Sequence, residues 1–480
     1  MASYKKNKTS VPRNTFYIFV SQVISKFISL VFVSIVARHL GTQGYGKLAF
    51  AFSFTYILTM LMDFGINTIL VREIAREKAK AREFLYNALA LKAFLSVVVF
   101  ALILLAVFFA RIPYPTSLLI YIIGFAVIIT STAEVFRSAY FTAVERLEFR
   151  GILDILHRLA ELLLVILFIL LGGGLIPIAL AILLASGINF YLSWKWANKF
   201  LPPSPVKISP SLQKWIIKAS LPVGIGMIFL GIYNRIDTVM LGFMQGDVSV
   251  ALYNAAYRIM EVMVFIPASF SGALLPVISR YFKRSPKKYK GTFLFYLKWV
   301  FIIVLPIAIT VGFFPAFFVN IIFGAKFRLS TRALMVLIWT LPLLSLNFIF
   351  RTYFIASNRQ KVSFYFFFTG ALLNIFLNFL FIPRWSFQGA ATATLVTEFV
   401  GLLFLAAIVK LRREGIPLRD TLEKPLVSAC GMATAIHYGM RINNGVAFVG
   451  GILAYILLLF LQETFSREEL QSIKERISPR

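Results

Sequence analysis

The sequence predicts an all-α polytopic membrane protein of fourteen transmembrane helices, built as two pseudo-symmetric six-helix lobes around a central cavity plus a C-terminal helix pair. Three observations carry this. Of 480 residues, 59% are hydrophobic, 16% aromatic and only 14% charged, a balance suited to lipid rather than water. Apolar runs long enough to cross a hydrocarbon core recur from end to end. Lys and Arg gather on every second connection between those runs, as they do where positive charge is retained on the cytoplasmic side.

In chain order the runs cover residues 16–37, 48–71, 84–110, 117–143, 156–171, 176–196, 216–240, 250–275, 299–323, 333–356, 362–382, 390–409, 426–440 and 446–461. The fifth carries His157, Arg158 and Glu161, and the thirteenth is short and rich in small residues. One face collects Lys5, Lys6, Lys8 and Arg13, then the basic residues within 72–82, 146–158, 195–218, 280–290, 359–361 and 410–424, and a tail with Arg467, Lys474, Arg476 and Arg480. The other face has only Arg38, Lys47, Arg111, Lys326, Arg328, Arg332, Arg384 and Arg441. A miscount by one span would scramble this segregation. An even number of crossings follows, with both termini on the cytoplasmic side of the cell membrane. The polar, basic start precedes a full-length span without a small-residue cleavage signal, so the first span is expected to be permanent.

The net charge of +29, from 49 basic and 20 acidic residues, then lies mostly where anionic lipid head groups hold it. No continuous basic patch in a soluble domain supports nucleic-acid binding. Cys430 is the only cysteine, and His39, His157 and His437 are scattered, so neither a disulfide framework nor a metal site is expected. Gly41-Thr42-Gln43-Gly44-Tyr45-Gly46-Lys47-Leu48 approaches the phosphate-loop spacing, but Leu48 lacks the magnesium-binding hydroxyl and no strand precedes it. It is read as a hairpin between the first two spans. No catalytic triad or acid/base dyad is recognisable, so neither an enzyme nor a cofactor is expected.

Internal similarity divides the chain. Phe136-Arg137-Ser138-Ala139-Tyr140-Phe141-Thr142-Ala143 ends the fourth span and Phe350-Arg351-Thr352-Tyr353-Phe354-Ile355-Ala356 ends the tenth. They align with one residue gapped. Leu40-Gly41 is echoed by Leu241-Gly242, Lys92 by Lys298 and Gly174 by Gly389, always six spans apart. The expected domains are an N-lobe at 1–198, a proline-rich cytoplasmic linker at 199–211, a C-lobe at 212–412 and the helix pair with its tail at 413–480. Like-oriented lobes facing across a cleft make a transporter architecture.

Each ionised side chain at the centre of a span costs about 2.5–3.5 kcal/mol on insertion scales, so such residues face a partner or a water-filled cavity. Here they are Lys26, Asp63, Glu134, Arg137, Glu161, Arg235, Asp237, Arg258, Glu261, Arg351 and Glu398. Glu134 with Arg137 and Arg258 with Glu261 are spaced to pair along one helix face. Lys92 and Lys298 are read as snorkelling to the cytoplasmic side. Lys26, Glu161 and Glu398 are expected to lack an opposite charge within one turn and so to face the cavity. Arg137 and Arg351, at equivalent repeat positions, suggest a pair at its mouth.

The segment Ala37-Arg38-His39-Leu40-Gly41-Thr42-Gln43-Gly44-Tyr45-Gly46-Lys47-Leu48-Ala49-Phe50-Ala51, with Asp63-Phe64-Gly65 beyond it, resembles the N-terminal signature of polysaccharide-biosynthesis flippases. Arg235-Ile236-Asp237-Thr238-Val239-Met240-Leu241 and Tyr253-Asn254-Ala255-Ala256-Tyr257-Arg258-Ile259 resemble its second-lobe counterpart. This family shares the multidrug/oligosaccharidyl-lipid/polysaccharide flippase superfamily with lipid II flippases and MATE drug exporters. The resemblance implies movement of an oligosaccharide carried on a polyprenyl phosphate or diphosphate to the outer leaflet, by alternating access between lobes. It implies basic cavity residues that receive the phosphate, and glycosyltransferases or a polymerase of the same pathway as partners. Lys26 and Arg258 fall where lipid II flippases carry such residues, whereas the second span has Asp63 and an edge Lys47 in place of their arginine. Lys26, Arg137, Arg235, Arg258 and Arg351 are therefore the candidate substrate-binding residues. The alternatives are a cation-coupled MATE-type exporter, in which Asp63, Glu161 or Glu398 would bind the coupling ion, and a membrane scaffold for glycan enzymes.

Overall fold

The computed structural model describes residues 11–282, 284–411 and 415–465. Lys5, Lys6, Lys8, Lys283, Arg412, Arg413, Arg467, Lys474, Arg476 and Arg480, and the side chain of Arg13, lie outside the described residues. The described residues form helices joined by turns and short irregular connections, with no strand among them. In order run α1 (Val11–Asp63), α2 (Ile66–Arg76), α3 (Ala81–Phe109), α4 (Thr116–Glu134), a π-helical turn (Val135–Tyr140), α5 (Phe141–Ala143), α6 (Leu147–Leu170), α7 (Leu175–Phe200), α8 (Pro210–Gln245), α9 (Asp247–Met263) and α10 (Phe265–Phe282). They are followed by α11 (Pro286–Phe313), α12 (Pro315–Phe323), α13 (Ser330–Leu337), α14 (Thr340–Ala356), α15 (Gln360–Leu411), α16 (Leu418–Gly439) and α17 (Asn444–Leu461).

Among the described residues, 10 helical stretches are long and apolar enough to cross a membrane. Two of them, Tyr17–Arg76 and Gln360–Leu411, run to 60 and 52 residues. A core about 30 Å thick needs only ~20 residues of helix. Each is interrupted inside, at Gly41 (φ 67, ψ −172) and at Ser386 (φ 50, ψ −130), so each makes two crossings. α6 and α16, the helices of the charged fifth run and the short thirteenth, are not among the ten; the helices are compatible with the expected fourteen crossings without fixing that number.

The backbone adds to one proposed repeat echo. Gly246, between α8 and α9, has φ 79 and ψ −177, nearly the conformation of Gly41. Gly246, four residues beyond the Gly242 echo, thus shares the backbone conformation of Gly41. At both places a positive φ, open to glycine without strain, turns the chain from one span into the next.

A second repeat feature gains a physical cause. The first copy of the Phe-Arg motif has one more residue than the second. The surplus is absorbed by the π-helical turn at Val135–Tyr140, which accommodates one extra residue within a helix. The second copy lies within α14 without such a turn.

The chain forms two compact units. The first comprises the residues up to Ala255 with Ile322–Phe327 and Asn374–Ala390. Its core packs Ile66, Leu70, Leu85, Phe136, Tyr140, Phe141, Leu153 and Ile216. Within it the second half of α1 lies close against α8 and the start of α9, through glycines that leave no room for a side chain. A Cβ at Gly46 would stand 1.9 Å from the Asp247 carbonyl oxygen, and one at Gly242 would stand 2.2 Å from the Phe50 ring. The second unit comprises Ala256–Ile321, Arg328–Leu373 and the residues from Ala391 onward. There Phe293 and Phe350 pack edge to face with centroids 5.3 Å apart. The hydroxyls of Tyr289 and Tyr455 donate to the carbonyls of Tyr353 and Ile302 at 2.7 and 2.8 Å. Buried phenols need such acceptors.

Candidate functional site

Five of the candidate residues lie in the first unit. Lys26 is exposed on α1. Asp63, at the end of α1, accepts from Lys92 Nζ and from Asn67 Nδ2, both at 2.7 Å. Lys92 is wholly buried and also donates to the Ser131 carbonyl at 3.0 Å. The snorkelling expected of Lys92 is therefore corrected: its charge stays inside, matched by Asp63. Glu161 is corrected likewise. It is 5% exposed and accepts from Arg158 at 2.8 Å, because α6 is continuous from Leu147 and sets the two one turn apart on the same face.

Arg137 sits in the π-helical turn, 7% exposed. It pairs with Glu134 on its own helix and with Asp154 of α6 at 3.0 Å. His157 Nδ1 stands 3.4 Å from its Nη1. Two carboxylates thus hold this guanidinium in place. Arg235 is half-buried on α8 with its guanidinium 5.8 Å from the centre of the Tyr56 ring, within reach of a cation–π contact.

Three candidates lie in the second unit. Arg258 pairs with Glu261 at 2.9 Å, as the spacing predicts. Arg351 is half-buried on α14, its guanidinium 4.7, 5.2 and 4.6 Å from the rings of Phe348, Phe366 and Phe367. Glu398 is 3% exposed and accepts from Asn347 Nδ2 at 2.7 Å. Arg351 Nε also donates to the Asn347 carbonyl at 3.4 Å.

A polar cluster of the first unit went unrecognised as a site from sequence. Asp237 is 2% exposed. Its carboxylate accepts from the Tyr253 hydroxyl at 2.7 Å and from the Asn378 amide. Asn378 also donates to Asn374 Oδ1 at 2.9 Å, while its own Oδ1 is buried without a hydrogen-bond partner. The available signal was the pair Asn374 and Asn378, one turn apart on an apolar helix. Among the described residues no group of three or more His, Cys, Asp or Glu could hold a metal ion.

With this geometry in hand, comparison with known proteins is decisive for the family. The family described as "Polysaccharide biosynthesis protein" matches residues 11–282, more than half of the 480-residue chain. The chain belongs to this family. The MatE family also matches, over residues 222–380. An uncharacterised membrane protein of Methanocaldococcus jannaschii is 25% identical over 428 residues, 84% of this chain and 99% of that protein. A probable low-salt glycan biosynthesis flippase of Haloferax volcanii is 22% identical over 464 residues, 94% of this chain and 96% of that one.

Among solved structures, the lipid II flippase MurJ in an inward closed conformation superposes with a TM-score of 0.80 at 17% identity, covering 93% of this chain and 99% of that one. An inward-facing MATE multidrug resistance transporter gives 0.66 at 19% identity, covering 81% and 96%. The polysaccharide biosynthesis member described here is thus a multi-pass membrane transporter of the superfamily that holds both flippases and MATE proteins.

Proposed function

We propose that this protein moves a polyprenyl-phosphate- or diphosphate-linked oligosaccharide across the cytoplasmic membrane for surface glycan assembly, by alternating access between its two six-helix lobes. The end-to-end similarity to a probable glycan biosynthesis flippase carries this reading. A sugar-phosphate head group cannot enter hydrocarbon unaided, because stripping water from its charge and hydroxyls costs more than its lipid tail recovers. A polar path within the protein substitutes for that water while the tail stays in lipid.

Lys26, Arg235, Arg258 and Arg351 are the side chains we assign to the phosphate and sugars. Arg235 lies near the Tyr56 ring and Arg351 near those of Phe348, Phe366 and Phe367, and a guanidinium presents the donors that phosphate oxygens accept from. Arg137 serves the same path by position, its charge being held by Glu134 and Asp154. No nucleotide site contributes in this scheme. An ion gradient would act through carboxylates, with Asp63, Glu161 and Glu398 as coupling candidates and the buried Asp237 added to them. Both termini face the cytoplasm, where glycosyltransferases or a polymerase of the pathway would supply or consume the substrate.

Single neutralisation tests the assignment. Lys26→Gln, Arg235→Gln and Arg351→Gln should each reduce glycan export at normal protein abundance, and unchanged export would remove the residue concerned. The MATE match over 222–380 supports a second reading, a cation-coupled drug exporter. Drug resistance conferred by expression and abolished by Glu398→Gln would favour it.

A further inference from the structure

The connection between α7 and α8 is a fixed strap. Pro202, Pro203 and Pro205 restrict its backbone, and it runs without helix until Pro210 opens α8. Asn87 of α3, itself fully buried, holds it with both ends of one amide. Its Nδ2 donates to the Lys207 carbonyl at 2.7 Å and its Oδ1 accepts from the Ser209 N–H at 2.8 Å. The Tyr86 hydroxyl fixes the other end by donating to Asn198 at 3.0 Å. Ser209 then caps α8 by accepting from the Leu212 N–H.

So held, the strap displays apolar side chains outward. Ile208 is 61% exposed and Val206 37%. The first turns of α8 continue the pattern: Ile216 is buried in the core, whereas Lys214, Trp215 and Lys218 are exposed. Aliphatic side chains, an indole and lysines presented together at the basic end of a span match the chemistry of the membrane–water boundary, where Trp sits at head-group level and Lys reaches anionic phosphates.

We propose that the strap is an interfacial anchor. Val206, Ile208 and Trp215 enter the acyl boundary of the leaflet, and Lys207, Lys214 and Lys218 bind anionic phospholipid head groups. Charge complementarity selects lipid as the occupant, since three lysines interleave with the apolar positions within thirteen residues of chain. The anchor does not depend on which substrate is carried.

The test uses the full-length protein with Cys430→Ser and Ile208→Cys, nitroxide-labelled, in vesicles of phosphatidylcholine alone or mixed with phosphatidylglycerol. Because Ile208 is exposed, its replacement removes no packed contact. The label should collide severalfold more often with oxygen than with a water-soluble nickel chelate in the mixed vesicles. That preference should shrink in phosphatidylcholine and in the Lys207→Gln, Lys214→Gln, Lys218→Gln variant. Nickel access equal to that of a label in water, in both vesicle types, would overturn the anchor. So would a label shielded from both reagents, the signature of a protein occupant. Oxygen preference indifferent to lipid charge and to the lysines would overturn the head-group assignment.

Discussion

At the scale of single residues, the described ionisable groups within the membrane divide by partner. Lys92 with Asp63, Arg158 with Glu161 and Arg137 with its two carboxylates are internal pairs. Breaking one partner of a buried pair leaves an uncompensated charge, which destabilises by about 3–5 kcal/mol. Lys92→Met should therefore lower the unfolding midpoint strongly, and adding Asp63→Asn should restore most of it, as read by thermal denaturation in detergent. A single-variant midpoint close to wild type would show that the pair contributes little. Arg137 and Arg351 should separate by readout. Arg137→Gln should reduce folded protein, while Arg351→Gln should leave abundance normal and reduce export, both measurable by quantitative blotting beside surface-glycan staining. Glu134 with Arg137 and Arg258 with Glu261 were legible in the sequence, since spacing alone sets them face to face; Arg158 with Glu161 has the same spacing and was passed over, Glu161 being read as facing the cavity. Lys92 with Asp63 was not legible, because their contact joins α3 to the end of α1, and periodicity within one helix carries no record of its neighbour.

At the scale of elements, glycines and one inserted residue determine how helices meet. Gly46→Ala would place a methyl 1.9 Å from the Asp247 carbonyl oxygen. That is backbone and cannot rotate away, so a loss of about 1–3 kcal/mol is expected from overpacking, again visible in the melting midpoint. An unchanged midpoint would mean that α1 and α9 separate freely there. Deleting Ala139 should convert the π-helical turn into ordinary helix, as in α14. Each residue advances a helix by about 100°, so Arg137 would turn away from Asp154. A double-mutant cycle between Arg137 and Asp154 should then report coupling in the parent and none in the deletion; equal coupling would refute this account of the turn. The sequence showed the one-residue gap but not its structural form, because a π-helical turn has no compositional mark. It did locate the long apolar helices, since apolar length is imposed directly by the bilayer. The positive φ of Gly246 was not legible from the Leu241-Gly242 echo, because a dipeptide match carries no backbone conformation.

For the whole molecule, the family and the membrane-transporter architecture stand, and the lipid-linked glycan is the proposed cargo. The most direct measurement is reconstitution of the purified protein into sealed vesicles with a fluorescent prenyl-diphosphate oligosaccharide and a membrane-impermeant reagent that attacks only outer-leaflet head groups. Our account predicts that the protected inner-leaflet fraction becomes accessible without nucleotide, and that neutralising Arg235 and Arg351 together slows this at equal protein incorporation. Accessibility identical to that of protein-free vesicles, under an imposed ion gradient as well as without one, would contradict it.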